Sequence, residues 1–284
     1  MIRRFITYIR NFIRYIKFGG LVEVNISQIN YGSILKDKKI LITGGSSGFG
    51  YAIAEKFLKE GASVIITGRN IEKLKISENN LKKIDSNRIT SIVWDLNDVK
   101  NLTSLFHKAI QIYSKIDIFI NNAGVWSAPM YPHYTLEEYN RIMDTNLKGL
   151  FFMMQEEANY LENNHIHGKI INITSITGRI PSFEVYHASK WGADCITMGL
   201  ARKLASKGII VNGIAPGTAV TDINTAQKIK FDTEKNEYFS VHPTKRFIRV
   251  EEVAELATFL ASDAANNIVG QIIAIDGGTT IRRS

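Results

Sequence analysis

Two side chains four residues apart, Tyr186 and Lys190, could carry acid–base chemistry in this sequence. Residues at i and i+4 lie on the same face of a helix, and a helix is predicted here. A free tyrosine has a pKa of about 10, and a nearby ammonium group lowers it by stabilising the phenolate. Tyr186 would then take a proton from an alcohol or give one to a carbonyl oxygen. A Tyr-x-x-x-Lys pair alone is common on protein surfaces, so other motifs are needed to distinguish a catalytic pair from a surface pair.

A glycine-rich turn near the start of the chain is the second candidate site. It directly follows an apolar run at 39–42, predicted as a strand, and it opens a predicted helix. Glycines allow a tight turn and close approach of backbone to a pyrophosphate, and a helix N-terminus offers free N–H groups. A turn without a ligand is the alternative, and no Gly-Lys-Ser/Thr follows as in a kinase-type P-loop. The candidate cofactor-binding residues of this turn are Gly44, Ser46, Ser47, Gly48, Phe49 and Gly50.

The elements that must position these groups alternate between short β-branched runs and helical patterns. Continuous apolar strands alternating with helices predict a parallel sheet covered on both faces. Thr135, with Glu138 three residues later, has the pattern of a capping box at the start of a long helix. Strands are predicted at 39–42, 63–66, 89–93, 116–120, 169–173, 209–214 and 271–275, and helices at 51–60, 98–113 and from 135.

The Thr-Gly-x-x-x-Gly-x-Gly spacing of the turn resembles the short-chain dehydrogenases/reductases, in their compact single-domain branch. The resemblance runs from about Lys38 to about Thr280, and further motifs follow in the order of that family. They are Asp95, Asn121-Asn122-Ala123-Gly124, Asn146, Ser175, Tyr186-x-x-x-Lys190, Pro216-Gly217, Thr221 and Asp276-Gly277-Gly278.

The resemblance implies a Rossmann-like, doubly wound domain with a mostly parallel seven-stranded sheet. It also implies hydride transfer between a nicotinamide and a carbonyl or secondary alcohol. Ser175 would polarise the substrate oxygen, and Asn146 would anchor a water that relays protons from Lys190. Ser175 and Tyr186 are closer in sequence than is usual in the family, so Thr174 or Ser182 could replace Ser175. The remaining cofactor contacts implied are Asp95, Leu96, Asn122, Ala123, Gly124, Tyr186, Lys190, Pro216, Gly217, Ala219 and Thr221.

The end of the second predicted strand indicates which cofactor is used. An acidic residue there would bind the adenosine ribose and repel a 2′-phosphate. Gly68 stands in its place, and the neighbouring Arg69 can hold a phosphate through charge-assisted bonds. The sequence therefore predicts NADP(H) rather than NAD(H). Many NADP-using members carry a second basic residue where this chain has Ser47, and a solvated Arg69 is the alternative.

Composition and charge limit the class of protein. With 284 residues, 45% hydrophobic and 22% charged, the chain is typical of a globular protein. Its net charge is +8, of which residues 1–20 supply five positive charges, leaving 8 − 5 = +3 for the rest. No nucleic-acid surface is indicated. Cys195 is the single cysteine, which fits a reducing cytoplasm. We assign no metal ligands.

Residues 1–20 predict a basic amphipathic helix, separated by a connector at 21–37 from an oxidoreductase domain at 38–284. Charges interrupt this segment too often for a transmembrane span. The helix could lie in a membrane interface, through residues 1–18. It could instead pack on the body or on a partner subunit, or be a cleaved targeting peptide. Its apolar stripe consists of Ile2, Phe5, Ile6, Ile9, Phe12, Ile13 and Ile16.

Two other functions stay open at this stage. A nucleotide-sugar epimerase or dehydratase of the family's longer branch would need a C-terminal substrate domain, for which little chain remains. A regulatory protein that binds NADP without turnover would not need Tyr186 or Lys190. The substrate is a small carbonyl or alcohol compound of unspecified class. The apolar run at 150–153 and the family resemblance predict a homodimer or homotetramer.

Overall fold

The computed structural model describes residues 9, 12–13, 28–126, 131–219 and 239–281. Thr221 and most of the segment at 1–20 lie outside the described residues, as do the first seven positions of the predicted connector. Seven strands form one parallel sheet in the order β3-β2-β1-β4-β5-β6-β7. They are β1 (Lys39–Thr43), β2 (Ser63–Gly68), β3 (Ile89–Val93), β4 (Ile118–Asn121), β5 (Lys169–Ile173), β6 (Ile210–Pro216) and β7 (Ile272–Ile275).

This sheet confirms the predicted Rossmann-like, doubly wound fold. β1 pairs with both β2 and β4, so the strand order reverses between β1 and β4. Ligands of such sheets bind outside the carboxyl ends of the strands at this reversal. The register aligns the ends, with Thr43 beside Asn121 and Asn121 beside Asn172.

Helices cover both faces of the sheet within the described residues. They are α1 (Gly48–Lys59), α2 (Ile71–Leu81), α3 (Val99–Tyr113), α4 (Leu136–Met143), α5 (Leu150–Asn163), α6 (Val185–Leu204) and α7 (Val250–Ala261). The side chain of Thr135 caps α4 by accepting from the Glu138 N–H at 3.2 Å. The long helix predicted from Thr135 is present and runs to Asn163, with a π-helical segment at Asp144–Gly149 inserted between α4 and α5.

The core consists of two apolar clusters, one on each face of the sheet. Successive strand residues point to opposite faces, so Ile40 and Ile42 join one cluster while Leu41 joins the other. Phe57 of α1 is buried in the first cluster and Phe106 of α3 in the second. Both faces are covered, which explains why the strands are continuous apolar runs.

Candidate functional site

The glycine turn is held against the end of β4 by side-chain hydrogen bonds. The Asn122 side-chain amide donates to the Thr43 and Gly44 carbonyls at 3.1 and 2.8 Å. Thr43 Oγ1 in turn accepts from the backbone N–H groups of Asn122 and Ala123. The Asn122 side chain, predicted to contact a cofactor, therefore binds the loop backbone and fixes the β1 and β4 ends together.

Glycine is required at two positions of this turn. Gly44 has a φ of +67°, and a Cβ there would lie 2.9 Å from the Ala123 Cα. A Cβ on Gly50 would lie 2.4 Å from both the Asn122 amide nitrogen and the Gly44 carbonyl oxygen. Helix α1 starts at Gly48 and has no side-chain cap from Ser47. The turn thus leaves a narrow cradle below a helix N-terminus, which fits a pyrophosphate.

The ends of β2 and β3 form the next part of the same edge. A Cβ on Gly68 would meet the Ser46 hydroxyl at 3.3 Å, so β2 ends against the glycine turn. Arg69 follows directly and is exposed. Asp95, after β3, accepts from the Asn97 N–H at 3.0 Å. The Leu96 carbonyl lies close to the π-helical segment, 2.7 Å from where a Gly149 Cβ would stand.

Ser175, Tyr186 and Lys190 meet at the carboxyl end of β5. Ser175 lies close enough to Tyr186 to affect the pKa of the phenol, and Lys190 Nζ lies 5.7 Å from the Tyr186 ring centroid. Lys190 is buried and donates to the Ile173 carbonyl at 3.2 Å. The two alternatives to Ser175 are placed differently. The Thr174 hydroxyl donates to the Ile214 carbonyl, and Ser182 is exposed.

Asn146 lies on the π-helical segment, opposite the same site. Its side chain bonds the Val125 backbone in both directions, each at 2.8 Å, and donates to the Ser189 hydroxyl at 3.2 Å. A Cβ on Gly124 would stand 3.4 Å from Asn146 Oδ1 and 3.6 Å from Lys190 Nζ. A side chain at position 124 would therefore contact both polar groups, and glycine leaves the space between them open. π-helical turns are frequent at functional sites because they re-aim a side chain.

Burial perturbs both titratable groups of this cluster. It raises the pKa of Tyr186 to about 12, and the neighbouring Ser175 side chain opposes that shift. It lowers the pKa of Lys190 to about 8, while the Asp194 carboxylate opposes the decrease. The expected lowering of the Tyr186 pKa is thus not seen in the protein alone, because desolvation is the larger effect.

Asp194, one turn beyond Lys190, was missed by the sequence analysis. It is buried, and burial raises its pKa, while the neighbouring Thr174 side chain and the charges of Arg179 and Lys190 oppose that rise. A Cβ on Gly178 would lie 2.8 Å from both Asp194 Oδ2 and the Lys190 carbonyl oxygen. The turn after Ser175 therefore packs directly on the helix that carries Lys190. An aspartate within a helix has no sequence pattern that indicates burial beside a lysine of the site.

The loop after β6 completes the edge. Gly217 donates its N–H to the Ile275 carbonyl at 2.7 Å, and Ala219 is buried. His242 is fully buried beneath this loop, where Nε2 accepts from the Thr218 N–H at 3.2 Å and Nδ1 donates to the Arg246 carbonyl. Sequence reasoning gave His242 no role, because its partners are backbone groups brought together only by folding.

A buried polar chain lies behind the site. The Asn121 amide donates to Glu157 Oε2 at 2.9 Å and to Asn172 Oδ1 at 3.0 Å. The Asn172 amide donates to the Thr197 hydroxyl at 2.8 Å. Glu157 is fully buried, which raises the pKa of its carboxyl well above the ordinary value. These bonds join β4, β5, α5 and α6 immediately below the catalytic candidates.

Fold and site together define a Rossmann-type α/β protein with a dinucleotide cradle beside a tyrosine–lysine–serine cluster. Residues 44–280 match the family described as enoyl-(acyl carrier protein) reductase. Glucose 1-dehydrogenase 2 of Bacillus subtilis is 32% identical over 87% of this chain and 96% of its own length. A 3-oxoacyl-[acyl-carrier-protein] reductase of Staphylococcus aureus is 32% identical over 85% and 97%. The chain belongs to the short-chain dehydrogenase/reductase family and is an oxidoreductase of that family.

Solved structures of similar proteins agree. A short-chain dehydrogenase from Burkholderia cenocepacia in complex with NADP is 29% identical, with a TM-score of 0.77 over 86% of this chain and 98% of its own. A 3-ketoacyl-(acyl-carrier-protein) reductase from Brucella melitensis complexed with NADH is 28% identical, with a TM-score of 0.77 over 87% and 100%. Because both carry a nicotinamide cofactor, they support one for this chain and leave its identity open.

The described part of the chain contains no helix long and apolar enough to cross a membrane. Nor do three potential metal ligands come together anywhere within it.

Proposed function

We propose that the protein is an NADP(H)-dependent oxidoreductase that interconverts a carbonyl and a secondary alcohol, with Tyr186 as the proton donor and acceptor. The observation that supports this most is the grouping of Ser175, Tyr186 and Lys190 beside the glycine cradle. A cofactor-binding protein without turnover would not need this arrangement. Two relatives matched over almost their whole length are named as a dehydrogenase and a 3-oxoacyl-[acyl-carrier-protein] reductase, which favours this chemistry over that of an epimerase or dehydratase.

The fit of a dinucleotide rests on the cradle itself. The α1 N-terminus and the Gly44–Gly50 turn would hold the pyrophosphate. Asp95 and Leu96 would contact the adenine side of the cofactor. The loop from Pro216 to Ala219 would contact the nicotinamide side, together with Thr221, which lies outside the described residues. Ala123, Gly124 and Lys190 would line the ribose between them. When bound, the reduced nicotinamide supplies the hydride that reaches the carbonyl carbon.

Tyr186 supplies the proton in carbonyl reduction. With a pKa of about 12, it carries its proton throughout the neutral range and can donate to the developing alkoxide. Ser175 donates a second hydrogen bond to the same oxygen and stabilises its charge. In alcohol oxidation Tyr186 acts as the base, which requires the positive charge of Lys190 and of the oxidised ring to offset burial.

Lys190 and Asn146 restore the proton. The buried ammonium of Lys190 is held by the Ile173 carbonyl beside Gly124. Asn146 is fixed by its two bonds to Val125. Its Oδ1 has a second lone pair, which would accept from a water near Lys190 Nζ. Protons would return to Tyr186 through this water and the ammonium.

Tyr186→Phe tests the catalytic assignment. We expect turnover to fall by at least about 100-fold, the typical contribution of a general acid, with cofactor affinity retained. Tyr113→Phe is the matched control, because burial also raises the pKa of Tyr113 to about 12 and Tyr113 lies beside Lys39, the first residue of β1, at the end of the strands away from the site. The assay follows nicotinamide absorbance with a panel of ketones, aldehydes and 3-oxoacyl thioesters. Normal turnover by Tyr186→Phe would show the assignment to be wrong, and reduction only of an enoyl thioester would favour C=C chemistry.

Arg69→Asp tests the choice of NADP(H). A lost charged hydrogen bond to the 2′-phosphate is worth about 1.5–3 kcal/mol, so NADPH affinity should fall roughly 10- to 150-fold relative to NADH. Arg202→Asp, an exposed arginine in the last turn of α6, is the control for net charge. An unchanged ratio of the two cofactor affinities would mean that Arg69 is only solvated.

A further inference from the structure

The N-terminal segment presents apolar side chains that the body does not cover. Its three described positions, Ile9, Phe12 and Ile13, are helical and expose 44%, 62% and 56% of their surface. All three belong to the apolar stripe found in the sequence. A helix packed on its own domain would bury this stripe. These positions therefore leave an apolar surface available to something outside the chain.

The charge of the same segment indicates what that surface meets. Residues 1–20 hold five cations and no acid, and most of the cations fall off the stripe. An apolar stripe flanked by arginine and lysine fits an anionic lipid interface, where both parts gain contacts. Nucleic acid would use the cations and leave the stripe in water.

A buried clamp ties the chain that follows this segment to the domain. Lys56 of α1 donates to the Ile29 carbonyl and forms ion pairs with Glu60 at 2.8 Å and Glu255 at 3.2 Å. Its ammonium also lies 5.1 Å from the Tyr31 ring centroid. Because Lys56 and Glu60 are buried, the Ile29 backbone is held against α1.

Only the stretch from about residue 20 to Ile29 links this anchor to the basic segment. Fully extended, it spans at most roughly 30 Å. The domain would therefore stay close to whatever surface the segment binds.

We propose that residues 1–20 are a docking segment that binds an anionic lipid surface and holds the catalytic domain beside it. The apolar stripe would enter the interface, and the five cations would contact lipid phosphates. The contacts of Lys56 with the chain at Ile29 would keep the domain attached to the bound segment. The cofactor and substrate sites take no part in this membrane binding, so the proposal does not depend on the proposed function.

The test is co-sedimentation of the full-length protein with vesicles. Phosphatidylcholine alone is compared with phosphatidylcholine containing phosphatidylglycerol, at low and high salt. We expect binding only to the anionic vesicles, and weaker binding as salt rises. Arg10→Gln with Arg14→Gln should lower the affinity about 25-fold, from about fivefold per cation. Phe12→Glu with Ile13→Glu should abolish binding, with thermal stability and carbonyl turnover unchanged.

Ile71→Glu with Ile76→Glu is the matched control, because both are exposed apolar residues of α2. It should bind the vesicles as the wild type does. Absence of wild-type binding, or equal binding to neutral vesicles, would overturn the proposal. So would a lower melting temperature of the Phe12/Ile13 variant, which would place the helix on the body. A smaller oligomer in that variant would assign the stripe to a second copy, and tighter binding to duplex DNA than to vesicles would assign the cations to nucleic acid.

Discussion

The lowered pKa of Lys190 predicts an early loss of carbonyl reduction at alkaline pH. With a pKa of about 8, this lysine is about nine-tenths charged at pH 7 and about one-tenth charged at pH 9. An ordinary lysine, with a pKa of about 10.4, would stay charged over that range. Tyr186 keeps its proton throughout, because its pKa lies near 12. Titration of Lys190 should therefore dominate the profile.

The expected result is a kcat/KM for the reduced cofactor that is constant below about pH 7 and falls tenfold per unit above pH 8. This quantity is the appropriate one, because kcat/KM reports the groups of the free enzyme. The groups that face Lys190 are Tyr186 and Asp194 on its own helix, Asn146 across the site and the Ile173 carbonyl from β5.

Asp194→Asn moves the inflection in a defined direction. The Asp194 charge raises the pKa of Lys190, so its removal should shift the loss of activity to lower pH. Asp85→Asn is the control, because this surface carboxylate pairs with Arg88 far from the site. A merely structural role of Asp194 would lower the rate at every pH without moving the inflection. A wild-type profile that stays flat to pH 10 would refute the reasoning.

Two further predictions concern the buried polar chain and the assembly of the protein. Burial raises the pKa of the Glu157 carboxyl well above that of the unfolded chain, which is about 4.3, so this group lowers stability as pH rises above that value. Glu157→Gln, which keeps an acceptor for the Asn121 amide, should therefore gain stability over the wild type as pH rises above about 4.3 in urea unfolding; a pH-independent difference would contradict this. We also propose a homo-oligomer through α5 and α6, whose Phe151, Phe152 and Trp191 are exposed. Phe151→Glu should lower the mass seen by sedimentation, and a wild-type monomer at all concentrations would exclude the proposal.

The sequence predicted the fold well because parallel strands buried on both faces leave an unambiguous pattern. The strands at Ile89–Val93 and Lys169–Ile173 match their predicted bounds, and the others shift by a few residues at their ends. The glycine turn was also recognisable, since only glycine fits where Gly44 and Gly50 approach the end of β4. Thr221 stays a prediction, because it lies outside the described residues.

The rest of the site depended on tertiary contacts that local patterns do not contain. A glutamate about two turns into an amphipathic helix is expected at the surface, yet Glu157 of α5 faces inward to Asn121. The π-helical segment around Asn146 has no periodicity that distinguishes it from an α-helix. His242 contacts the loop after β6 only because the chain returns there. Each of these residues contacts backbone groups or side chains that are distant from it in the sequence.

The candidate site contains three buried titratable groups whose charged forms are disfavoured by desolvation. Burial shifts the pKa of Tyr186, Lys190 and Asp194 toward their neutral forms, and the partial charges that oppose it come from a few fixed contacts. A site of this kind responds strongly to any new charge, because its dielectric is low and its dipoles are already oriented. A positively charged nicotinamide entering beside Tyr186 would therefore stabilise the phenolate far more than it would in water. The resting protein would keep the proton on Tyr186, and the bound cofactor would decide when it leaves.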